Sequence, residues 1–118
     1  MQQLIAIVRS LVLDPDILLL DEPFSSIDEI NRVKMHAHLL RIHKQTSKTT
    51  VLVTHSLTEA VNLSSKVIVL TPCPARVKKI FNIHLSVRSE EALFSEEFLD
   101  YVKAIRKELV NEPQANVV

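Results

Sequence analysis

Apolar residues recur along this chain with changing periods, and each change of period marks an element. Leu4, Ile5, Ile7, Val8, Leu11 and Val12 return at helical spacing, which predicts a helix over 3–13 with a broad buried face. A turn, Asp14-Pro15-Asp16, separates it from four consecutive apolar residues at 17–20. A short continuous run of that kind suits a strand buried on both faces of a parallel sheet. Ser25 or Ser26 can then cap a helix running to about residue 44, with Ile30, Val33, Ala37 and Leu40 turned inward. Residues 50–54 form a second, β-branched strand that ends at His55. Ser56 and Glu59 have capping-box spacing and open a short helix to about residue 63.

Residues 66–71, "KVIVLT", read as a third buried strand, and Pro72-Cys73-Pro74 as a turn. Val77, Lys79, Phe81, Ile83 and Leu85 alternate with Lys78, Ile80, Asn82 and His84, a pattern for an edge strand. A polar linker over 86–95 leads to a terminal amphipathic helix marked by Phe94, Phe98, Val102, Ile105 and Leu109. A frayed tail is expected over 111–118. The alternation of strand and helix predicts an α/β fold, a mainly parallel sheet with flanking helices and a C-terminal helix. It sets Asp21, Glu22 and His55 at the carboxyl ends of strands, where open α/β sheets bind ligands.

Composition narrows the choice of partner. The chain has 118 residues, enough for one hydrophobic core, and its 14 basic residues balance its 14 acidic ones. That balance gives no electrostatic case for nucleic acid or an anionic membrane surface. Arg9 interrupts the longest apolar stretch, which is far short of the ~20 residues of a spanning helix. Met1-Gln2-Gln3 lacks the basic start of a signal peptide, and the single Cys73 suits a reducing compartment. A cytosolic chain without direct membrane insertion is expected. Glycine is absent, although average usage of ~7% would give about eight. A loop that brings several backbone amides onto a phosphate normally needs glycine, so no phosphate cradle of that kind lies in these residues.

The chemistry concentrates at "LLLDE". A carboxylate leaving a buried strand is held rigidly and is a natural Mg²⁺ ligand beside a phosphate chain. Its neighbour points elsewhere, because side chains alternate along a strand, and can polarise a water. Asp21 and Glu22 suit these two roles; the plain alternative is that both begin a turn. Elsewhere, His36, His38 and His43 share one helix without i,i+4 spacing and suit a solvated face better than a metal site. Cys73 has no evident activating partner, and the Lys78-Lys79 pair is too short for a phosphate or lipid patch.

"ILLLDEPFSSID", followed after one long helix by "VLVTHS", resembles the second half of an ABC-type ATPase domain, a P-loop NTPase fold. The resemblance implies that 17–21 is the Walker B strand, with Asp21 binding Mg²⁺. It implies that Glu22 is the catalytic base and that His55 is the switch histidine contacting the γ-phosphate of ATP. Ser25-Ser26-Ile27-Asp28 stands where the family's D-loop lies, which makes Ser26 and Asp28 candidate nucleotide-binding residues. Residues 1–85 would then be the C-terminal part of the ATPase domain, with 86–118 a linker and terminal helix. "TPCPARVKK" and "FSEEFLDYVKAIRKEL" resemble nitrate, sulfonate and taurine importer ATPases more narrowly.

The departures are specific. Walker A, the Q-loop, the helical subdomain and the signature glycines lie upstream in the family and are not among these residues. Leu4 stands where Arg is usual, Val8 where Ala is, Ser65 where Asp is, and Ala75 where the turn glycine is. The D-loop reads Ser-Ser-Ile-Asp rather than Ser-Ala-Leu-Asp. The expected function is the C-terminal portion of an importer's ATP-binding subunit, on the cytoplasmic face of the membrane. Its implied partners are permease subunits and a second ATPase subunit; a separate N-terminal half is a further partner if the chain is an independently translated half rather than a truncated gene. ATP and Mg²⁺ would be used only within a complete domain. The alternative is a non-catalytic remnant or interaction module that cannot bind ATP alone.

Overall fold

Residues 2–88 and 91–110 are described by the computed structural model, so Met1 and the tail expected over 111–118 lie outside the described residues. The elements run α1 (Gln2–Val12), β1 (Ile17–Asp21), α2 (Glu29–Thr46), β2 (Thr49–Val53), α3 (Leu57–Leu63), β3 (Lys66–Leu70), β4 (Val77–Asn82) and α4 (Glu96–Val110). The fold is α/β, as the alternation predicts. Contacts divide it into two compact units, Met1–His55 and Ser56–Val118.

In the first unit β1 and β2 pair in parallel, in register from Ile17 opposite Thr49 to Asp21 opposite Val53. Parallel neighbours need a long crossover, and α2 lies within it. Burial along β1 alternates: Leu18 and Leu20 are buried, whereas Ile17 and Leu19 are exposed. The expected burial on both faces therefore does not occur, because a parallel pair reaches it only where both faces are covered. Likewise, among the described side chains of α1 only Ile7 is buried, with Leu4 and Leu11 half-buried and Ile5, Val8 and Val12 exposed. Its helical neighbour is α2, and one helix covers a narrow 4–7–11 stripe rather than a broad face.

The start of α2 also differs from expectation. Its cap is Asp28, not Ser25 or Ser26: Oδ1 accepts from the Asn31 backbone N–H at 2.9 Å and Oδ2 from Asn31 Nδ2 at 3.1 Å. Residues 22–27 turn first, with Ile27 N donating to Phe24 O at 3.2 Å, and that turn buries the Phe24 ring. Starting the helix later rotates its inner face to Met35, His36 and Leu39, leaving Ala37 exposed and Ile30 73% exposed. His36 is thus not on a solvated face: its ring meets Phe24 edge-on, with centroids 5.1 Å apart. The helix closes at Ser47, left-handed at φ 54°, whose N–H donates to His43 O at 2.8 Å. Lys48 then donates to the Asp14 carboxylate, and that bond holds the Asp14 pKa below its ordinary value.

In the second unit β3 pairs with β4 antiparallel, in a sheet separate from that of β1 and β2. The third strand therefore does not extend the parallel pair. The cause lies in the turn after it: Thr71 N donates to Arg76 O at 2.8 Å and Arg76 N to Thr71 Oγ1 at 3.0 Å. That reversal delivers β4 to β3 as an antiparallel partner. The core gathers Val61, Val67, Val69, Ile83, Phe98 and Ile105. Within the stretch read as a linker, Glu91–Phe94 forms a 3₁₀ turn that buries Ala92. Ser95 Oγ accepts from Phe98 N at 3.2 Å and so starts α4. Phe94 lies before that cap, 82% exposed, and is not part of the α4 stripe.

Two basic side chains close helix ends in this unit. Arg88 Nη1 donates to Val61 O at 3.0 Å and Asn62 O at 2.7 Å, two carbonyls of the last turn of α3. Burial lowers the Arg88 pKa from its ordinary value. Lys78 donates to the Glu108 carbonyl near the end of α4. No described helix is long and apolar enough to cross a membrane.

These contacts predict unequal costs for two phenylalanines. Phe98→Ala should destabilise the chain by about 3–5 kcal/mol, as expected for deleting a buried ring. Phe94→Ala should stay within ~0.5 kcal/mol. Denaturant titration measures both, and equal losses would contradict the packing. A second prediction concerns the outer face of the β1–β2 pair, where Ile17, Leu19, Val51 and Val53 are all exposed. Apolar surface and open strand edges favour association between chains. Sedimentation should show mass rising with concentration, and Leu19→Lys should reduce it; a concentration-independent monomer would contradict this.

Candidate functional site

The parallel register decides which side chains meet. Asp21 is the last residue of β1 and lies opposite Val53, the last residue of β2. One step beyond, the Glu22 N–H donates to Val53 O at 2.8 Å, which extends the pairing past the strand end. Glu22 adopts φ 49°, in the left-handed region. Such a conformation is uncommon for a non-glycine side chain and costs on the order of 1–3 kcal/mol.

Three hydrogen bonds surround that strained residue. Beside the bond to Val53, the Glu22 carbonyl accepts from Ser25 N at 3.4 Å and from Ser25 Oγ at 3.2 Å. Pro23, with its fixed φ, occupies the second position of this tight turn. The Glu22 carboxylate then stands beside His55, with Oε1 3.3 Å from Nε2. The pair lies at ion-pair distance but is not aligned as a hydrogen bond. Oε1 is buried and has no hydrogen-bond partner among the described residues. The Glu22 side chain is 30% exposed and that of His55 is 81% exposed. A buried oxygen of a partly exposed carboxylate therefore sits beside an imidazole open to solvent.

Of the residues the sequence singles out, Glu22 and His55 are brought together. Asp21 adjoins them at the strand end with an exposed side chain. Among the described residues no three His, Cys, Asp or Glu side chains converge as a self-contained metal site. Mg²⁺ commonly binds through one or two carboxylates, with water and phosphate oxygens completing its shell. Asp21 is suited to that manner of binding. Glu22 Oε1 is a buried acceptor with no hydrogen-bond donor among the described residues, while the side chain as a whole is 30% exposed, which suits a carboxylate that takes a proton from a water. Ser26 is exposed in the turn, and Asp28 spends both carboxylate oxygens on Asn31. Asp28 thus acts here in holding α2.

Sequence reasoning passed over Ser25, treating it as a helix cap or as one letter of a loop motif. Its spacing of three from Glu22, with proline between them, was the available signal. Phe24 and Arg32 also fix the turn. The Phe24 ring is buried against His36, and Arg32 Nη2 donates to Ile27 O at 2.7 Å.

No family model matches the chain. Individual proteins do. An uncharacterised ABC transporter ATP-binding protein of Methanocaldococcus jannaschii is 45% identical over 112 residues, which cover 95% of this chain and 41% of the relative. A taurine import ATP-binding protein of Pelagibacter ubique is 43% identical over 83 residues, 70% of this chain and 31% of the relative. One from Yersinia pestis is 40% identical over 91 residues, covering 77% and 36%. The chain spans well under half the length of each of these relatives. Over the part that it spans, it belongs to the ATP-binding proteins of ABC transporters.

Proposed function

We propose that this chain supplies the hydrolytic half of an ABC importer's ATPase site, on residues 1–85, with 86–118 as an appended linker and helix. The observation that carries the proposal is the approach of Glu22 Oε1 to His55 Nε2 at the carboxyl end of two parallel strands. Glu22 acts as the general base: its carboxylate, 30% exposed, accepts a proton from the attacking water. His55, largely solvent-exposed, holds a terminal phosphate oxygen as a hydrogen-bond donor and so fixes the line of attack. Asp21 would hold Mg²⁺ at the strand end, where the cation would supply charge neutralisation for the phosphate chain. Ser26 contacts the nucleotide from the turn, and Asp28 contributes by anchoring the segment that carries it.

The glycine-rich loop that would hold the phosphates is not among these 118 residues. Activity therefore belongs to a complete domain, paired with a second ATPase subunit and seated on permease subunits at the cytoplasmic face. The names of the taurine-importer relatives, with the turn "TPCPARVKK", support uptake of taurine, sulfonate or nitrate-like anions.

A chimera tests this reading. This chain replaces the corresponding segment of the Methanocaldococcus relative, and ATP turnover is compared with that of the 118-residue chain alone. The chimera should hydrolyse MgATP and the isolated chain should not. Glu22→Gln should lower the chimera's turnover by ~10²–10⁴-fold, the usual loss of a general base. A chimera indifferent to Glu22→Gln and to His55→Ala would remove both residues from the chemistry.

A further inference from the structure

We infer that Ser25 is a positioning residue for Glu22: its hydroxyl holds the Glu22 backbone in the left-handed conformation that sets the carboxylate beside His55. The inference rests on the reading of Glu22 as the base and adds a residue to that site.

Glu22 has little reason of its own to stay where it is. A left-handed glutamate is strained, and the proline that follows further restricts its backbone. Left to local preference, Glu22 would relax toward the extended region. Rotation of that kind redirects the side chain. The carboxylate would then leave His55, since the 3.3 Å contact is not itself locked by an aligned hydrogen bond. The restraint must come from the backbone. On the amino side it is the bond from Glu22 N to Val53 O; on the carbonyl side both bonds come from Ser25.

Of these two, the N–H bond at 3.4 Å is long, and the hydroxyl bond at 3.2 Å is shorter. The hydroxyl is thus the side-chain contribution to the restraint, and replacing it alters the turn without altering the residues that would touch substrate. Ser25 is itself anchored within the same turn, because Phe24 is buried beside it and Arg32 holds the Ile27 carbonyl. Movement of this loop is therefore transmitted to the Glu22 carboxylate through Ser25.

The test uses the full chain without nucleotide, so it reports on Ser25 whether or not the chain ever turns over ATP. The readout is the His55 ring resonance in NMR, which senses the charge and position of the adjacent carboxylate. Glu22→Gln gives the reference displacement. Ser25→Val, which lacks the hydroxyl, should displace the resonance in the same direction, whereas Ser25→Thr, matched in shape but retaining it, should leave the resonance at the wild-type position. Ser10→Ala is the control, because it removes a comparable hydroxyl bond, Ser10 Oγ to Ala6 O, within α1 of the same unit. It should leave His55 unmoved. The inference is overturned if Ser25→Val leaves the resonance in place while Glu22→Gln moves it, or if Ser10→Ala moves it equally. A failure of the ATPase chimera with the Ser25 result intact would instead remove the catalytic reading and keep the positioning one.

Discussion

The parallel pairing of β1 with β2 is the constraint on which the rest of the site depends. Its register sets Asp21 against Val53, so Glu22, one residue past β1, and His55, two residues past β2, come within 3.3 Å. Side chains alternate along a strand, so a slip of one residue would send Asp21 and Glu22 to exchanged faces and break the contact with His55. The bond from Glu22 N to Val53 O carries the register one residue past the strand. Buried Leu18 and Leu20 resist the slip, because it would turn them outward. Packing on one face of a two-stranded sheet thus fixes the approach of Glu22 to His55 at its end.

A chain without glycine solves its tight turns with other residues. Among the described residues three non-glycine positions are left-handed: Asp14, Glu22 and Ser47. Each has a local compensation. Asp14 N donates to Leu11 O and its carboxylate meets Lys48, while Ser47 N donates to His43 O. Asp is among the residues that tolerate this region best. Glutamate lacks that tolerance, and its compensation is the set of bonds from Val53 and Ser25. One of the three positions thus lies at the candidate site, where these bonds offset its strain.

Where one signal dominated, the sequence was legible. The run at 17–20 and the β-branched stretch before His55 gave the two parallel strands, and Ser56 caps α3 as its spacing predicts, accepting from Glu59 N at 3.2 Å. Phe98 and Ile105 are buried in α4 as the periodicity requires. Where several signals competed, it was less so. Ser25, Ser26 and Asp28 all suit a helix cap, and only the burial of Phe24 decides among them. The partner of β3 depended on the Thr71–Arg76 reversal, which hydrophobic period does not encode. Glu22 and His55 were legible because of their positions at strand ends, and Ser25 was not, because its contribution passes through a backbone carbonyl.

The central claim is that backbone register, rather than a chance side-chain contact, joins Glu22 to His55. A nuclear Overhauser measurement on the full chain tests it most directly. The account predicts cross-peaks from the Glu22 side chain to the His55 ring together with those of the parallel pairing of Asp21 with Val53. Sharp resonances for all four residues with neither set of cross-peaks, or with a pairing shifted by one residue, would contradict it.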